Sequence, residues 1–385
     1  MIFTNVIKPT HICNLACKYC YNDDVRKPIM TMDTLDRTIE ETFSYLRSNY
    51  PEAKASFIWH GGEPMVARLD FYLNSVRLQK KYSGSVDYEN SIQTNGILID
   101  KDWLSFFKEH DFKVSISIDG PKGINDKNRV DHRGKGSFDK IIQSIKMVRD
   151  EDIPLGLCVV ISADNAEHVH EIYDLMADLR VPFNIVPMNK SGSAVSAFNE
   201  IGLDADEFAA PWIAMYDRWF DADEDYVYCS DFVFKTRAIL AGTAVDCFGL
   251  QNCADTNLSI DPCGDVYACA TLSGDKKYSY GNINTSSLSE LMSSPLAIAY
   301  RNRATDSKCS TCKWQHVCYG GCLARAHKFF GDYNRRDFYC SSLYQIYEHI
   351  ETKLLSRIPE AYSRRSANRM SSVINFNRKE KQNEK

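Results

Sequence analysis

The sequence predicts an α/β protein, a partial (β/α)6 barrel followed by a small cysteine-rich domain. Short apolar runs alternate with amphipathic stretches from residue 1 to about residue 190, the pattern of parallel β/α units. Six such units can be counted, fewer than the eight that close a barrel of the TIM type. Eleven of the fourteen cysteines then fall into two closely spaced patterns, one directly after the first strand and one between Cys247 and Cys340.

The strand candidates are Phe3–Ile7, Ala55–Trp59, Glu89–Thr94, Lys113–Ile118, Leu155–Ile161 and Phe183–Pro187. Several are continuous apolar runs, as strands covered on both faces require. The amphipathic stretches between them are Met32–Ser48, Leu69–Tyr82, Lys101–His110, Phe138–Arg149 and Ala166–Leu179. Asp33 and Asp100 stand where helix starts are expected. Residues 191–205 are small and polar and read as a linker or a loop over the barrel mouth. A helical segment, Asp206–Phe220, follows. The cysteine-rich region is turn-heavy and holds one hairpin, Leu258–Asp261 and Val266–Cys269 around Pro262-Cys263-Gly264-Asp265. A helix over Ser341–Arg357 closes it. The polar tail from Pro359 is expected to be disordered. The organisation expected is 1–205 barrel, 206–234 helical bridge, 235–345 auxiliary domain and 346–385 helix end and tail.

The chain has 385 residues, is 44% hydrophobic and 25% charged, and carries a net charge of −5. That length suits two or three domains, or one large barrel with an appendage. The acidic balance argues against nucleic acid as a partner, because phosphate binding needs a basic face. No apolar run is long enough to span a membrane. The N-terminus MIFTNVIKP lacks the basic start and long apolar core of a signal peptide. The expected location is therefore cytoplasmic. There, clustered cysteines serve as metal ligands more than as disulfides.

The first pattern is Cys13-x3-Cys17-x2-Cys20. Thiolates at such intervals suit an iron–sulfur cluster. Three ligands leave one iron of a four-iron cube open to a substrate or cofactor, whereas four would close it for electron transfer. Zinc is the alternative, but structural zinc takes four protein ligands. The second pattern is Cys247-x5-Cys253, Cys269, Cys309-x2-Cys312-x5-Cys318-x3-Cys322 and Cys340. Its eight thiols suffice for two fully ligated clusters, with two zinc sites as the alternative. Of the remaining cysteines, Cys158 lies in an apolar strand and reads as core. Cys263 reads as exposed at the hairpin tip, and Cys229 carries no assignment.

Cys13-Asn14-Leu15-Ala16-Cys17-Lys18-Tyr19-Cys20 resembles the signature of the radical S-adenosylmethionine (radical SAM) superfamily, C-x3-C-x-aromatic-C, with Tyr19 in the aromatic slot. The resemblance extends over nearly the whole chain. It implies that the open iron chelates the amino and carboxylate groups of SAM. One electron then cleaves the sulfonium C–S bond, and the 5′-deoxyadenosyl radical takes a hydrogen atom from substrate. The cofactor carries the hard chemistry and the protein supplies position. His60-Gly61-Gly62-Glu63-Pro64 resembles the family's glycine motif, which implies that backbone groups and Glu63 meet the methionine amino group. Gln93-Thr94-Asn95-Gly96 and Ser117-Ile118-Asp119-Gly120 end predicted strands, where ligand groups collect in parallel β/α proteins. The resemblance puts Gln93, Asn95, Ser117 and Asp119 near SAM. It makes Arg129 a candidate carboxylate partner, with Arg133 as competitor.

The second pattern resembles the SPASM domain of peptide-modifying radical SAM enzymes. By that resemblance Cys247, Cys253, Cys269 and Cys322 hold an inner auxiliary cluster, and Cys309, Cys312, Cys318 and Cys340 an outer one. The cofactors implied are three 4Fe-4S clusters and SAM. Full ligation suits electron carriage: a substrate that has lost a hydrogen atom must still lose one electron.

Anaerobic sulfatase-maturating enzymes, which oxidise Cys or Ser to formylglycine, are similar, but carry an aspartate base directly after the hairpin cysteine. Here that residue is Ala270. They also favour aromatic residues at both positions after the third cysteine, where this chain has Tyr21-Asn22. The general base is therefore not identified from sequence. The expected reaction is crosslinking of a ribosomally made precursor peptide into a cyclophane or other macrocycle. Formylglycine formation and small-molecule dehydrogenation are the alternatives. The expected partners are that peptide, a separate leader-binding protein, and an electron donor such as flavodoxin or ferredoxin.

Overall fold

The computed structural model describes residues 1–22, 28–222, 226–247, 249–251 and 253–357. Strand and helix alternate through β1 (Ile2–Thr10), α1 (Met32–Asn49), β2 (Lys54–Gly61), α2 (Leu69–Tyr82), β3 (Tyr88–Thr94), α3 (Lys101–Glu109), β4 (Lys113–Ser117), α4 (Lys122–Asn128), α5 (Phe138–Asp150), β5 (Leu155–Ile161), α6 (Val169–Leu179) and β6 (Phe183–Pro187). Helices α7 (Ala194–Ile201), α8 (Ala209–Asp221), α9 (Ser230–Ala241) and α10 (Cys253–Thr256) lead to β7 (Asn257–Ile260), β8 (Asp265–Tyr267) and β9 (Ser279–Asn282). Short helices α11 (Leu288–Met292), α12 (Pro295–Arg301), α13 (Gln315–Cys318) and α14 (Leu323–Phe330) precede α15 (Cys340–Ser356).

The six barrel strands pair in parallel in the order β6-β5-β4-β3-β2-β1. The sheet does not stop at β1. Strand β7 pairs in parallel with β1, Ile260 opposite Ile7, and β8 and β9 continue antiparallel to a nine-stranded sheet. The cysteine-rich region thus shares a sheet with the barrel, although the sequence reads as successive domains. The hairpin's pattern announces its strands but not their neighbour. The β7–β8 turn lies beside the C-terminal end of β1 and β8 runs back from it; past β8 the chain returns to β1, where Ala270 O accepts from Lys8 Nζ at 3.1 Å.

Helix α1 is capped by Thr31, whose side chain accepts from Thr34 N, while Asp33 sits in the first turn. Asp100 caps α3 as expected, accepting from Trp103 N. Residues 191–205, read as linker or loop, contain α7. Its Ala194, Phe198 and Ile201 are buried on one face with Tyr19 and Met188, a helical spacing that the surrounding serines obscure. Helix α9 also went unread. The tail from Pro359 lies outside the described residues.

Between the sheet and the helices, Trp59, Tyr72, Trp103, Phe106, Phe107 and Phe112 interlock edge to face and tilted. Buried Asn90 satisfies this core's polar groups: it accepts from Trp59 Nε1 and Gln79 Nε2 and donates to Gln79 Oε1, each at 2.9 Å. Asn90→Ala orphans these groups, and each buried loss costs about 1–3 kcal/mol. Denaturant unfolding should show a loss of roughly 3 kcal/mol, without loss of the fold.

Candidate active site

The C-terminal ends of the parallel strands and the segment after β8 surround one cavity of about 330 Å³. Its wall includes Cys13, Cys17, Tyr19, Cys20, Gly62, Gln93, Asn95, Ser117 and Arg129. All were singled out from the sequence, from five separate segments. Period-2 alternation explains the strand contributions: in β5, Leu157, Val159 and Ile161 are buried on the helix side, while Cys158 and Val160 face the cavity. Cys158 is therefore a cavity residue and not core. Cys229 is buried and Cys263 half-buried.

The cysteine loop is held from several sides. Ala16 N and Lys18 N donate to the carbonyls of Val130 (2.8 Å) and Asn128 (3.2 Å), and Ala194 N of α7 donates to Cys20 O (3.0 Å). Gly62 N and Glu63 N donate to Thr10 O (2.9 Å) and Ile12 O (2.8 Å). A Cβ on Gly61 would overlap the Thr10 carbonyl, and one on Gly62 those of His11 and Ile12. The paired glycines therefore serve first to let β2 lie against the cysteine loop.

Glu63 does not line the cavity. It is wholly buried and accepts from Thr94 Oγ1 (2.8 Å), Asn95 N (2.8 Å) and Met65 N (3.1 Å). Gly61, Pro64 and Asp119 likewise stand behind the wall. Asp119 takes hydrogen bonds from the Tyr19 hydroxyl and from Val160 N (3.2 Å). Arg129 Nη1 donates to Tyr19 Oη at 2.9 Å. These three form one buried network, with Arg129 at the cavity and its Nε without a partner among the described residues. Arg133, the competitor, is exposed.

Burial raises the Glu63 carboxyl to about 6 against the hydrogen bonds that lower it. An unfolded Glu titrates near ~4.3. Between these values the folded chain holds a proton that the unfolded chain has released, so Glu63's contribution to stability falls as pH rises through that window. The stability difference between wild type and Glu63→Gln should therefore shrink from pH ~4.5 to ~6. The amide of that variant also offers one acceptor oxygen fewer, worth about 1–3 kcal/mol. Denaturant melts of the cluster-free protein at stepped pH check both.

Neighbouring thiols act on one another within both cysteine patterns. Burial pushes Cys13 up to about 12 and Cys17 up to about 11, with Cys20 acting on both. Leu15 N (3.4 Å) and Asn95 Nδ2 (3.8 Å) donate to Cys13 Sγ. Burial, then Cys322 and Cys247, raise Cys269 to about 12, and Cys247 is itself raised by a hydrogen bond with Cys253. Burial, then Cys340 and Cys312 among others, raise Cys309. Cys309, Cys312, Cys318 and Cys340 all line a second cavity of about 720 Å³. These pairings fall within the sets of three, four and four thiols that the resemblance implies, while among the described residues no three such donors are already arranged around a metal position. A soft, all-thiol donor set suits iron–sulfur clusters. Deprotonating such raised thiols couples metal loading to proton release.

Sequence reasoning missed Thr271 and Arg325, which line the cavity from the cysteine-rich side, and a pair that contributes from the barrel. His60 Nε2 lies 3.0 Å from Tyr21 Oη, and Gly61 N donates to His60 Nδ1 at 2.7 Å. Burial, then Lys8, lower His60 to about 4. Arg325 is bound to Asp337 through Nε (2.8 Å) and Nη2 (2.5 Å). Its position one helical turn after Cys322 was the available signal.

A family model of the radical SAM superfamily matches residues 7–176, and one of the SPASM iron–sulfur cluster-binding domain matches residues 247–313. A cysteine-type anaerobic sulfatase-maturating enzyme of Clostridium novyi is 29% identical over 357 residues, 91% of this chain and 95% of that one. The radical SAM cyclopropyl synthase TigE of Paramaledivibacter caminithermalis is 26% identical over 359 residues, 87% of this chain and 70% of that one. The solved structure of native anSMEcpe with bound AdoMet matches with a TM-score of 0.81 at 25% identity, covering 92% of this chain and 99% of that one. With its cysteine loop at the mouth of a partial barrel and its thiol-rich extension on the same sheet, the chain belongs to the radical SAM superfamily and carries a C-terminal SPASM domain.

Proposed function

We propose that this peptide-modifying radical SAM oxidoreductase crosslinks two residues of a ribosomally made precursor peptide, as a cyclophane or other macrocycle. One observation carries the choice of reaction: among the described residues, no carboxylate lines the cavity where the cysteine loop meets the segment after Cys269. Position 270, where sulfatase maturases carry their base, is Ala, and its carbonyl accepts from Lys8 Nζ at 3.1 Å. Similarity to TigE, a cyclopropyl synthase, favours the same class of chemistry.

In this reading Cys13, Cys17 and Cys20 hold the SAM cluster, Cys247, Cys253, Cys269 and Cys322 the inner auxiliary cluster, and Cys309, Cys312, Cys318 and Cys340 the outer one, three 4Fe-4S clusters in all. When bound, the clusters supply the electron that splits SAM and accept the one the peptide gives up. Arg129, steadied by Tyr19 and Asp119, would meet the SAM carboxylate from the cavity wall. Gln93 Nε2 donates to Ser117 Oγ (3.0 Å), fixing that hydroxyl at the cavity wall. Glu63 holds the glycine motif rigid from behind. Helix α7 and Met188 pack against Tyr19 and so help hold the cysteine loop. The peptide loses one hydrogen atom, one proton and one electron, and one new bond replaces two bonds to hydrogen. Partners in this reading are the precursor peptide, a separate leader-binding protein and a flavodoxin or ferredoxin donor. No described helix is long and apolar enough to cross a membrane. A reducing compartment, the cytoplasm, is the expected location in this reading, because clustered cysteines serve there as metal ligands more than as disulfides.

The test is anaerobic turnover of the reconstituted enzyme with SAM, a reductant and a peptide encoded beside its gene, read by tandem mass spectrometry. A crosslink gives loss of two hydrogens, missing fragment ions between the joined residues and no hydrazide reactivity. A single hydrazide-reactive residue would overturn it in favour of formylglycine formation, the reading that similarity to the sulfatase maturase favours. Cys269→Ala or Cys322→Ala should cut product far more than 5′-deoxyadenosine, assayed together. Equal loss of both would assign those thiols to folding alone.

A further inference from the structure

Lys8 lies on β1, a strand paired on both sides, and is wholly buried. Its Nζ donates to Asn22 Oδ1 (2.7 Å) and Ala270 O (3.1 Å) and stands 5.2 Å from the centre of the Tyr21 ring. Among the described residues no carboxylate stands within ion-pair distance of it, and Asp261 acts on it only from farther off. A buried ammonium without a countercharge is strongly unfavourable. Burial accordingly pulls Lys8 down to about 8 in the cluster-free chain. Besides Asp261, the groups that favour its charge are the thiols of Cys20 and Cys269. They belong to two different thiol sets, and its two hydrogen-bond acceptors flank the same two cysteines in sequence.

We propose that Lys8 is a countercation shared by the SAM cluster and the inner auxiliary cluster, and that it holds both at a less negative reduction potential. The inference rests on the cluster assignment above. A thiolate-ligated cluster is anionic, and reduction adds a further negative charge. A fixed cation in a low-dielectric interior stabilises the reduced form most. The same ammonium ties Ala270 to Asn22, and so fixes the hairpin segment against the cysteine loop. The outer set has Arg336 instead, whose Nη1 donates to Cys340 Sγ at 3.7 Å. Lys8 therefore acts on two of the three sites.

The test uses the full chain loaded anaerobically with iron and sulfide. Wild type, Lys8→Met, Lys8→Gln and Lys8→Arg are titrated potentiometrically with electron paramagnetic resonance detection, without SAM or peptide. The Met and Gln variants should shift two of the three potentials negative and leave the third in place, and the Arg variant should restore most of the shift. The Gln variant keeps a donor for Asn22 and covers the case in which the Met variant does not fold. A neutral variant that folds and keeps only the outer cluster supports the same role. Unmoved potentials in a fully loaded neutral variant overturn the proposal while leaving the cluster assignment standing. A wild type that binds no iron on these cysteines overturns both.

Discussion

Replacing Cys13, Cys17 and Cys20 together with Ala will abolish reductive SAM cleavage and, on the proposed assignment of three four-iron clusters, leave roughly two thirds of the iron in place. The three thiols lie on one loop pinned by the backbone of residues 128–130 and by α7. Ala keeps the pinning bonds, which are backbone to backbone, so the barrel should fold and the two remaining thiol sets should load. The loss falls on 5′-deoxyadenosine formation itself, before any peptide is involved. Liquid chromatography of 5′-deoxyadenosine with iron and sulfide analysis checks it. Cleavage retained by the triple variant would refute the assignment of the open cluster to this loop. Iron falling to zero would mean that the loop organises the whole molecule and not one site.

Asp337→Ala will destabilise the protein by about 3–5 kcal/mol, the range for breaking a buried ion pair by removing one partner. The Asp337 side chain is fully buried and that of Arg325 nearly so, 4% exposed. The carboxylate also accepts from Cys322 N (2.8 Å) and Tyr339 N (3.0 Å). One side chain thus joins the turn carrying Cys322, the helix carrying Arg325 and the start of the helix carrying Cys340. Its removal leaves a buried guanidinium and two buried N–H groups short of an acceptor. It also loosens one thiol from the inner set and one from the outer. Iron content should therefore fall along with the denaturation midpoint. Arg325→Ala should be comparably harmful, and the double variant less harmful than the sum of the two, because neither charge is then left unpaired. Additive losses would remove the ion pair as the explanation.

The first thiol set was legible in the sequence because its spacing is local. Cys13, Cys17 and Cys20 are three and four residues apart and sit on one loop, whereas the auxiliary cysteines, spread over 247–340, were grouped by their resemblance to the SPASM pattern. The six barrel strands were legible for a similar reason. Leu155–Ile161 and Phe183–Pro187 match their predicted bounds, since β-branched apolar runs between turn residues leave little alternative. Helix α7 was not legible, because its serines and small residues outvote the three apolar positions that its neighbours bury.

What the sequence by itself determined is the class: three thiol sets, a parallel β/α order, and a glycine motif placed after the second strand. What only the tertiary structure decided is which way each side chain faces and what stands opposite it. Glu63 and Asp119 were read as SAM contacts, yet they turn behind the wall and hold Asn95, Thr94, Tyr19 and Val160 in place. Cys158 reads as one more apolar strand residue, yet the register that sets it beside Ser117 turns it into the cavity. Lys8 looks like an ordinary charge near the end of a strand, yet it is wholly buried, with Asn22 and the carbonyl of Ala270 closing on its ammonium. One-residue alternation in strands and contacts between segments more than two hundred residues apart set these outcomes, and neither leaves a local trace in the chain.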